Sequence, residues 1–248
     1  MEPWAVFLDM DNTLTAKGEV IPANLAAICR ARAAGHKIVL NTGRSYGFIP
    51  KHVLETVPFD CVIAGCGCYI RAGDELLLNV CIPDDVLREM VAYFSRSGLP
   101  CFYEGVEDNY VQNAERPGFI QIHNYEQMSG RATKITIFSS SETRLPDEIL
   151  IPLQRHFKYI SHPRYSEGVL LGYSKATGMD RYLEYAGIPL SRSIAMGDSA
   201  NDTEMLEHAA VSVAMGDSTQ DVLDMCSFIS LPHDRGGVAH ALSALLGV

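Results

Sequence analysis

The sequence predicts an α/β fold, a mainly parallel sheet wound with helices and interrupted by an inserted α+β unit. Three features point to it. Short apolar runs such as Val6 to Leu8, Ile38 to Leu40, Val62 to Ala64 and Ile194 to Met196 lack the alternation of a half-exposed strand, as expected of strands buried on both faces of a parallel sheet. Helix-length segments separate several of them, which is the spacing of right-handed βαβ crossovers. The rhythm breaks after about residue 82 and returns near residue 167. Residues 1–82 and 167–248 are therefore expected to form one core and 83–166 a separate insertion, and a chain of 248 residues is long enough for both.

The elements follow in order from local chemistry. The first strand runs into Asp9-Met10-Asp11-Asn12-Thr13-Leu14, a costly place for charge. Strand side chains repeat every two residues, so Asp9 and Asp11 can face one crevice at the carboxyl end of the strand, where ligands of open α/β sheets collect. Two like charges there require a cation or a shared proton. Pro22 opens a helix that Gly35 stops. The second strand, His36 to Leu40, ends in the polar turn Asn41-Thr42-Gly43-Arg44-Ser45. A helix is expected over Phe48 to Thr56, then a strand over Asp60 to Ala64 that ends at Gly65-Cys66-Gly67. Hairpin arms at Tyr69 to Arg71 and Glu75 to Ile82 flank Ala72-Gly73-Asp74, and Pro83 opens a helix through Ser97.

Within the insertion, Cys101 to Glu104, Asn109 to Gln112, Lys134 to Phe138 and Lys158 to Ser161 read as strands, and Asp147 to His156 as a helix. Gly118 to Gly130 fits neither pattern. From Gly168 the first rhythm returns, with a strand at Val169 to Gly172 and a helix from Lys175 through Tyr185. The strand Ser193 to Met196 ends in Gly197-Asp198-Ser199-Ala200-Asn201-Asp202. A helix over Thr203 to His208, a strand over Val211 to Val213 and a terminal helix near Val238 to Leu246 complete the chain.

Composition narrows the function classes. Hydrophobic residues at 47% and charged residues at 20% are those of an ordinary globular protein, and no stretch is long and apolar enough to span a membrane. A net charge of −10, with no basic run or aromatic-basic stripe, argues against nucleic acid as a partner. The N-terminus, Met1-Glu2-Pro3-Trp4, has no basic segment leading into an apolar one, which reads as cytoplasmic. An odd count of seven cysteines fits a reducing compartment, and Cys61, Cys66 and Cys68 read as small buried residues because no matching His or Cys pair follows.

Four polar clusters thus stand at strand ends or a helix start: Asp9/Asp11/Thr13, Thr42/Gly43/Arg44, Lys175, and Asp198/Asn201/Asp202. Their order and spacing resemble the four motifs of the haloacid dehalogenase-like hydrolases, whose core is a Rossmann-like parallel sheet. The insertion between the second and third clusters resembles the type 2 cap of the Cof-like branch; inside it the resemblance is one of architecture only. The chain departs from the family pattern at Asn12, where Gly is usual, and at Cys66, where Asn often precedes the Gly. Asn tolerates a left-handed backbone, and Cys66 exchanges a polar side chain for a weak hydrogen-bonder.

The resemblance implies Mg²⁺-dependent hydrolysis of a small phosphorylated metabolite, a sugar phosphate or similar monoester. Asp9 would be the nucleophile, forming an aspartyl-phosphate, and Asp11 the general acid and then base. Asp9, the Asp11 carbonyl and Asp198 would suit Mg²⁺, with Asn201 and Asp202 holding its surroundings. Thr42, the Gly43 amide and Lys175 would bind phosphate oxygens, with Arg44 a further candidate substrate contact, while Thr13 would fix the loop. A phosphomutase would use the same core, and a non-catalytic metabolite-binding module would retain only the pocket. A dehalogenase, which needs neither second aspartate nor metal, fits less well. The oligomeric state and the identity of the ester are not written in any motif.

Overall fold

The computed structural model describes residues 2–138, 147–161 and 165–248. They form the α/β fold expected, in two compact units: Met1–Gly43 with Ile49–Leu78 and Ser174–Val248, and Arg44–Phe48 with Asn79–Tyr173.

The first unit is built on an eight-stranded sheet in the order Phe228–Ile229, Val211–Ala214, Ser193–Gly197, Ala5–Leu8, Lys37–Asn41, Cys61–Ala64, Tyr69–Ala72 and Glu75–Asn79. The five pairings from Phe228–Ile229 through Cys61–Ala64 are parallel, and the Tyr69–Ala72 strand is antiparallel to Cys61–Ala64. Ala5–Leu8 lies between two parallel neighbours with every residue buried, which explains its unbroken apolar sequence. On one face Phe7, Val39, Ile63 and Ala195 pack with Met179, Tyr182 and Leu183 of the Lys175–Ala186 helix and with Met205 and Leu206 of Thr203–His208. Phe7 meets Tyr182 edge-to-face at 6.1 Å. Burying each such side chain is worth about 1.5–3 kcal/mol. Asn24, on the Pro22–Ala33 helix, donates to the Leu14 carbonyl and accepts from the Ala239 amide of the Gly237–Leu246 helix.

The second unit holds a six-stranded sheet in the order Ile120–Gln121, Asn109–Gln112, Cys101–Gly105, Ala132–Phe138, Tyr165–Leu170 and Phe157–Ser161, antiparallel except where Ile120–Gln121 joins it. The Asp84–Ser97 helix buries Val86, Leu87, Met90, Val91 and Phe94, carries Asp84 and Asp85 in its first turn and ends at left-handed Gly98. Polar residues are buried in this sheet too: Lys134 donates to Glu167 at 2.6 Å and Thr136 to Glu104 at 2.6 Å. Arg44–Phe48 belongs to this unit although it follows the second strand of the other. Asn109 accepts from the Ser45 hydroxyl and donates to the Gly47 carbonyl, and a Cβ on Gly47 would stand 2.8 Å from the Val106 carbonyl oxygen.

Several elements differ from the sequence expectation. The helix expected over Phe48 to Thr56 is a 3₁₀ turn at Tyr46–Phe48 and a separate helix at Lys51–Thr56, because Pro50 has no N–H to give and sits in an extended conformation. The second hairpin arm ends at Asn79 rather than Ile82. The strand expected at Val169 to Gly172 is Tyr165–Leu170, and it pairs antiparallel with Ala132–Phe138 and Phe157–Ser161 instead of rejoining the parallel sheet. An apolar Val-Leu pair satisfies either sheet, so local pattern could not assign it. The unassigned stretch 118–130 contains the short strand Ile120–Gln121 and a 3₁₀ turn, Tyr125–Met128, closed by an Asn124/Gln127 capping box.

Candidate active site

Strand register collects the motifs. Leu8 is level with Met196 on one side and Leu40 on the other, so Asp9, Gly197-Asp198 and Asn41-Thr42 all leave the sheet at its carboxyl edge. The Asp9 amide donates to the Met196 carbonyl at 3.0 Å, which carries the pairing one residue beyond the strand.

Lys175 opens its helix immediately after Ser174, the N-cap, whose side chain accepts from the Thr177 amide while the Thr177 side chain accepts from the Ser174 amide. The Lys175 side chain is 1% exposed, and its Nζ donates to Asp9 at 2.6 Å and to Asp202 at 2.5 Å. Asn41, itself buried, donates to the Lys175 carbonyl at 3.0 Å. Asp202 spends its second oxygen on the amides of Asp198 and Ser199, at 3.0 and 3.2 Å. Gly197 is required beside it, since a Cβ there would come within 2.5 Å of the Asp202 carboxyl carbon. Asn201 accepts from the Ser199 hydroxyl at 3.0 Å.

Among the described residues, Asp9, Asp198 and Asp202 form one carboxylate cluster, each offering an oxygen within 4.8 Å of the others. Burial is the largest influence on Asp9 and pushes its carboxyl well above the ordinary range; Lys175 opposes the shift, and Asp202 and Asp198 add to it. Asp198 is pushed up to about 7 by burial and then by Asp202, against Lys175 and a hydrogen bond from the Asn12 side chain. For Lys175 burial favours the neutral amine, but Asp202 and Asp9 outweigh it and its pKa is raised. Three carboxylates share one ammonium, and a hard divalent cation is what such an oxygen donor set fits.

Asp11 is half-buried, forms an isolated bridge with Thr15 and is not in the carboxylate cluster. Thr42 is buried; its amide donates to the Ile63 carbonyl and its carbonyl accepts from the Cys66 amide. Gly43 is buried beside it. Arg44 belongs to the second unit, where its guanidinium lies 5.3 Å from the Phe48 ring centroid and donates to the Phe48 carbonyl. The loop-fixing hydroxyl expected of Thr13 comes instead from Thr15, which donates to the Met10 carbonyl, whereas the buried Thr13 hydroxyl has no hydrogen-bond partner among the described residues. Asn12, Asn41 and Gly197 stand in the sequence only as members of their turns; their contacts with Asp198, Lys175 and Asp202 come from the fold. Asn12 has φ 55, so the left-handed turn that Gly usually supplies here is kept while its amide reaches Asp198.

The chain is similar to proteins that share nearly its full length. It is 24% identical over 97% of its length, and 97% of the relative's, to the 5-amino-6-(5-phospho-D-ribitylamino)uracil phosphatase YitU of Bacillus subtilis (strain 168). It is 25% identical over 88% of its length, and 89% of the relative's, to the pyridoxal phosphate phosphatase YbhA of Escherichia coli (strain K12). The solved structure of the HAD subclass IIB sugar phosphatase BT4131 superposes with a TM-score of 0.85 at 24% identity, covering 99% of this chain and all of the other, a likeness of fold. The family model for haloacid dehalogenase-like hydrolases matches residues 6–242. The resemblance carried by the four motifs is thereby borne out, and the chain belongs to the haloacid dehalogenase-like hydrolases.

Proposed function

We propose that this protein is a Mg²⁺-dependent phosphatase that hydrolyses a small phosphorylated metabolite, a sugar phosphate or similar monoester, through an aspartyl-phosphate on Asp9. The observation that carries the reading is the buried Asp9–Lys175–Asp202 cluster with Asp198 beside it, an arrangement expensive to fold and suited to receiving a phosphate dianion with a cation. The names of the two curated relatives, both phosphatases of small phosphorylated compounds, support the same class.

An Asp9 oxygen attacks phosphorus, the bond to the ester oxygen breaks, and Asp11 gives its proton to the leaving alkoxide. Asp11 then takes a proton from water, whose oxygen displaces the Asp9 carboxylate and releases inorganic phosphate. Lys175, the Thr42 hydroxyl and the Gly43 amide hold the phosphoryl oxygens, and Arg44 is a further substrate contact. Asp9, the Asp11 carbonyl and Asp198 would hold Mg²⁺, with Asn201 and Asp202 arranging its surroundings. When bound, the ion supplies positive charge that neutralises the phosphoryl oxygens.

In this reading the insertion, 83–166, is a cap that selects the leaving group and excludes water, and 1–82 with 167–248 is the catalytic core. The substrate is a small molecule and not nucleic acid, consistent with the net charge of −10. Among the described residues no helix is long and apolar enough to cross a membrane. The odd count of seven cysteines suits a reducing compartment such as the cytoplasm.

The test is a screen of sugar phosphates, pyridoxal phosphate and phosphorylated ribitylaminouracil with Mg²⁺, reading released phosphate. Turnover that chelator abolishes and Mg²⁺ restores is the expected result. Full activity in chelator would remove the metal from the mechanism, and an isomerised phosphate ester without free phosphate would make the protein a phosphomutase.

A further inference from the structure

The turn Gly65-Cys66-Gly67 lies between two parts of the site and makes contact with both. Its three residues are all left-handed, with φ of 58, 52 and 91°. On one side the Cys66 amide donates to the Thr42 carbonyl at 3.2 Å, while the Thr42 amide donates to the Ile63 carbonyl at 2.9 Å, so the Thr42 backbone is held through both its N–H and its C=O. On the other side Gly67 abuts the backbone that precedes Lys175. A Cβ on Gly67 would come within 2.3 Å of the Ser174 carbonyl oxygen and 3.1 Å of its carbon. Those are backbone atoms, which no rotamer change moves aside. Ser174 is fixed in turn as the N-cap of the Lys175–Ala186 helix, and one turn later Gly178 has no room for a Cβ against Ile63. Asn41 holds the Lys175 carbonyl at 3.0 Å.

We propose that Gly65-Cys66-Gly67 is a positioning element of the site, in which the bare Cα of Gly67 and the left-handed amide of Cys66 set the Lys175 ammonium against the Thr42 phosphate-binding turn. The proposal rests on the phosphatase reading for its catalytic consequence, but not for its structural one. A side chain at Gly67 pushes on Ser174, and Lys175, the next residue, carries the displacement to its contacts with Asp9 and Asp202. At Cys66 the role assigned is the backbone's: Asn, which tolerates the left-handed region, preserves the turn, and β-branched Val, which does not, opens it.

The experiment compares full-length Gly67→Ala, Cys66→Val and Cys66→Asn with wild type, measuring kcat, KM, inhibition by inorganic phosphate, and hydrogen exchange over 41–45 and 173–178. In Gly67→Ala, kcat is expected to fall roughly 100-fold, the scale of an ångström's misplacement. Phosphate inhibition weakens, and exchange rises in both segments while the Ser193–Gly197 strand stays protected. Cys66→Val loses more kcat than Cys66→Asn, which marks a backbone role because both variants lack the thiol. A folded Gly67→Ala with wild-type kcat and phosphate inhibition overturns the proposal. If Gly67→Ala does not fold, equal losses in the two Cys66 variants overturn it. If wild type releases no phosphate from any ester, the phosphatase reading fails, and unchanged exchange in both segments of Gly67→Ala is then what overturns the turn's role.

Discussion

Asp9 is held between opposing forces: burial pushes its carboxyl toward the neutral form, and the Lys175 ammonium at 2.6 Å pulls it toward the charged one. Asp9→Asn is nearly isosteric and a far poorer nucleophile, so phosphate release should fall to background while the circular dichroism spectrum and unfolding transition stay near those of wild type. Retained turnover would place the nucleophile elsewhere. Lys175→Met has a different signature. It leaves Asp9 and Asp202 buried without their shared counterion, and removing one partner of a buried ionic cluster costs about 3–5 kcal/mol. Urea unfolding of the chelated variant should show that loss, and Mg²⁺ should return part of it. Asp9, Asp11, Lys175 and Asp198 stood out in the sequence because charge at the end of an apolar strand or the start of a helix is conspicuous. The contacts of the Asn12 and Asn41 side chains were not legible, since a turn-forming Asn looks the same whether its amide faces water or, as Asn12's does, a carboxylate.

At the scale of the element, the Lys175–Ala186 helix shows how a local signal carries a functional group. Ser174 and Thr177 close a capping box that fixes where the helix begins, and hence where Lys175 emerges. Ser174→Ala should lower stability by about 1 kcal/mol. Thermal unfolding checks that figure, and the same variant should lose more kcat than a ~1 kcal/mol change in stability can explain, because the frayed turn is the one holding Lys175. An unchanged midpoint would mean that packing, not the cap, sets the helix start. The central parallel strands Ala5–Leu8 and Lys37–Asn41 were legible from the apolar runs Val6 to Leu8 and Ile38 to Leu40, and Pro22 marked its helix. Pro50 lies inside the helix expected over Phe48 to Thr56, and its missing N–H is the local signal that moves the helix start to Lys51.

At the scale of the molecule, the carboxylate cluster links pH, cation and stability. The folded pKa of Asp198 is raised to about 7 from its ordinary 3.8, so between those values the folded chain holds a proton that the unfolded chain releases. Without a cation, the contribution of Asp198 to stability therefore declines as pH rises through that window. Lys175, whose pKa is raised as well, has the same sign in a higher window. Its raised value contributes stability throughout the neutral range, lost only in strong alkali. A divalent cation binds the ionised carboxylates, so the rise in unfolding temperature on adding Mg²⁺ to chelator-treated protein should be larger near pH ~8 than near pH ~5.5. A rise independent of pH, or none, would argue that the cluster does not hold the ion.

The sequence by itself determined the α/β class, the insertion in a parallel-sheet rhythm and the four clusters that name the family. These rest on periodicity, on turn chemistry and on charge beside apolar runs, all local properties of the chain. Only the tertiary structure decided that Tyr165–Leu170 completes the second sheet, because a short apolar strand has no local mark of which edge it joins. It also decided that Asp202 pairs directly with Lys175, that Arg44–Phe48 folds with the second unit, and that Gly67 is pinned against Ser174. Each depends on contact between residues distant in sequence, fixed by strand register and packing rather than by the neighbours of any one of them.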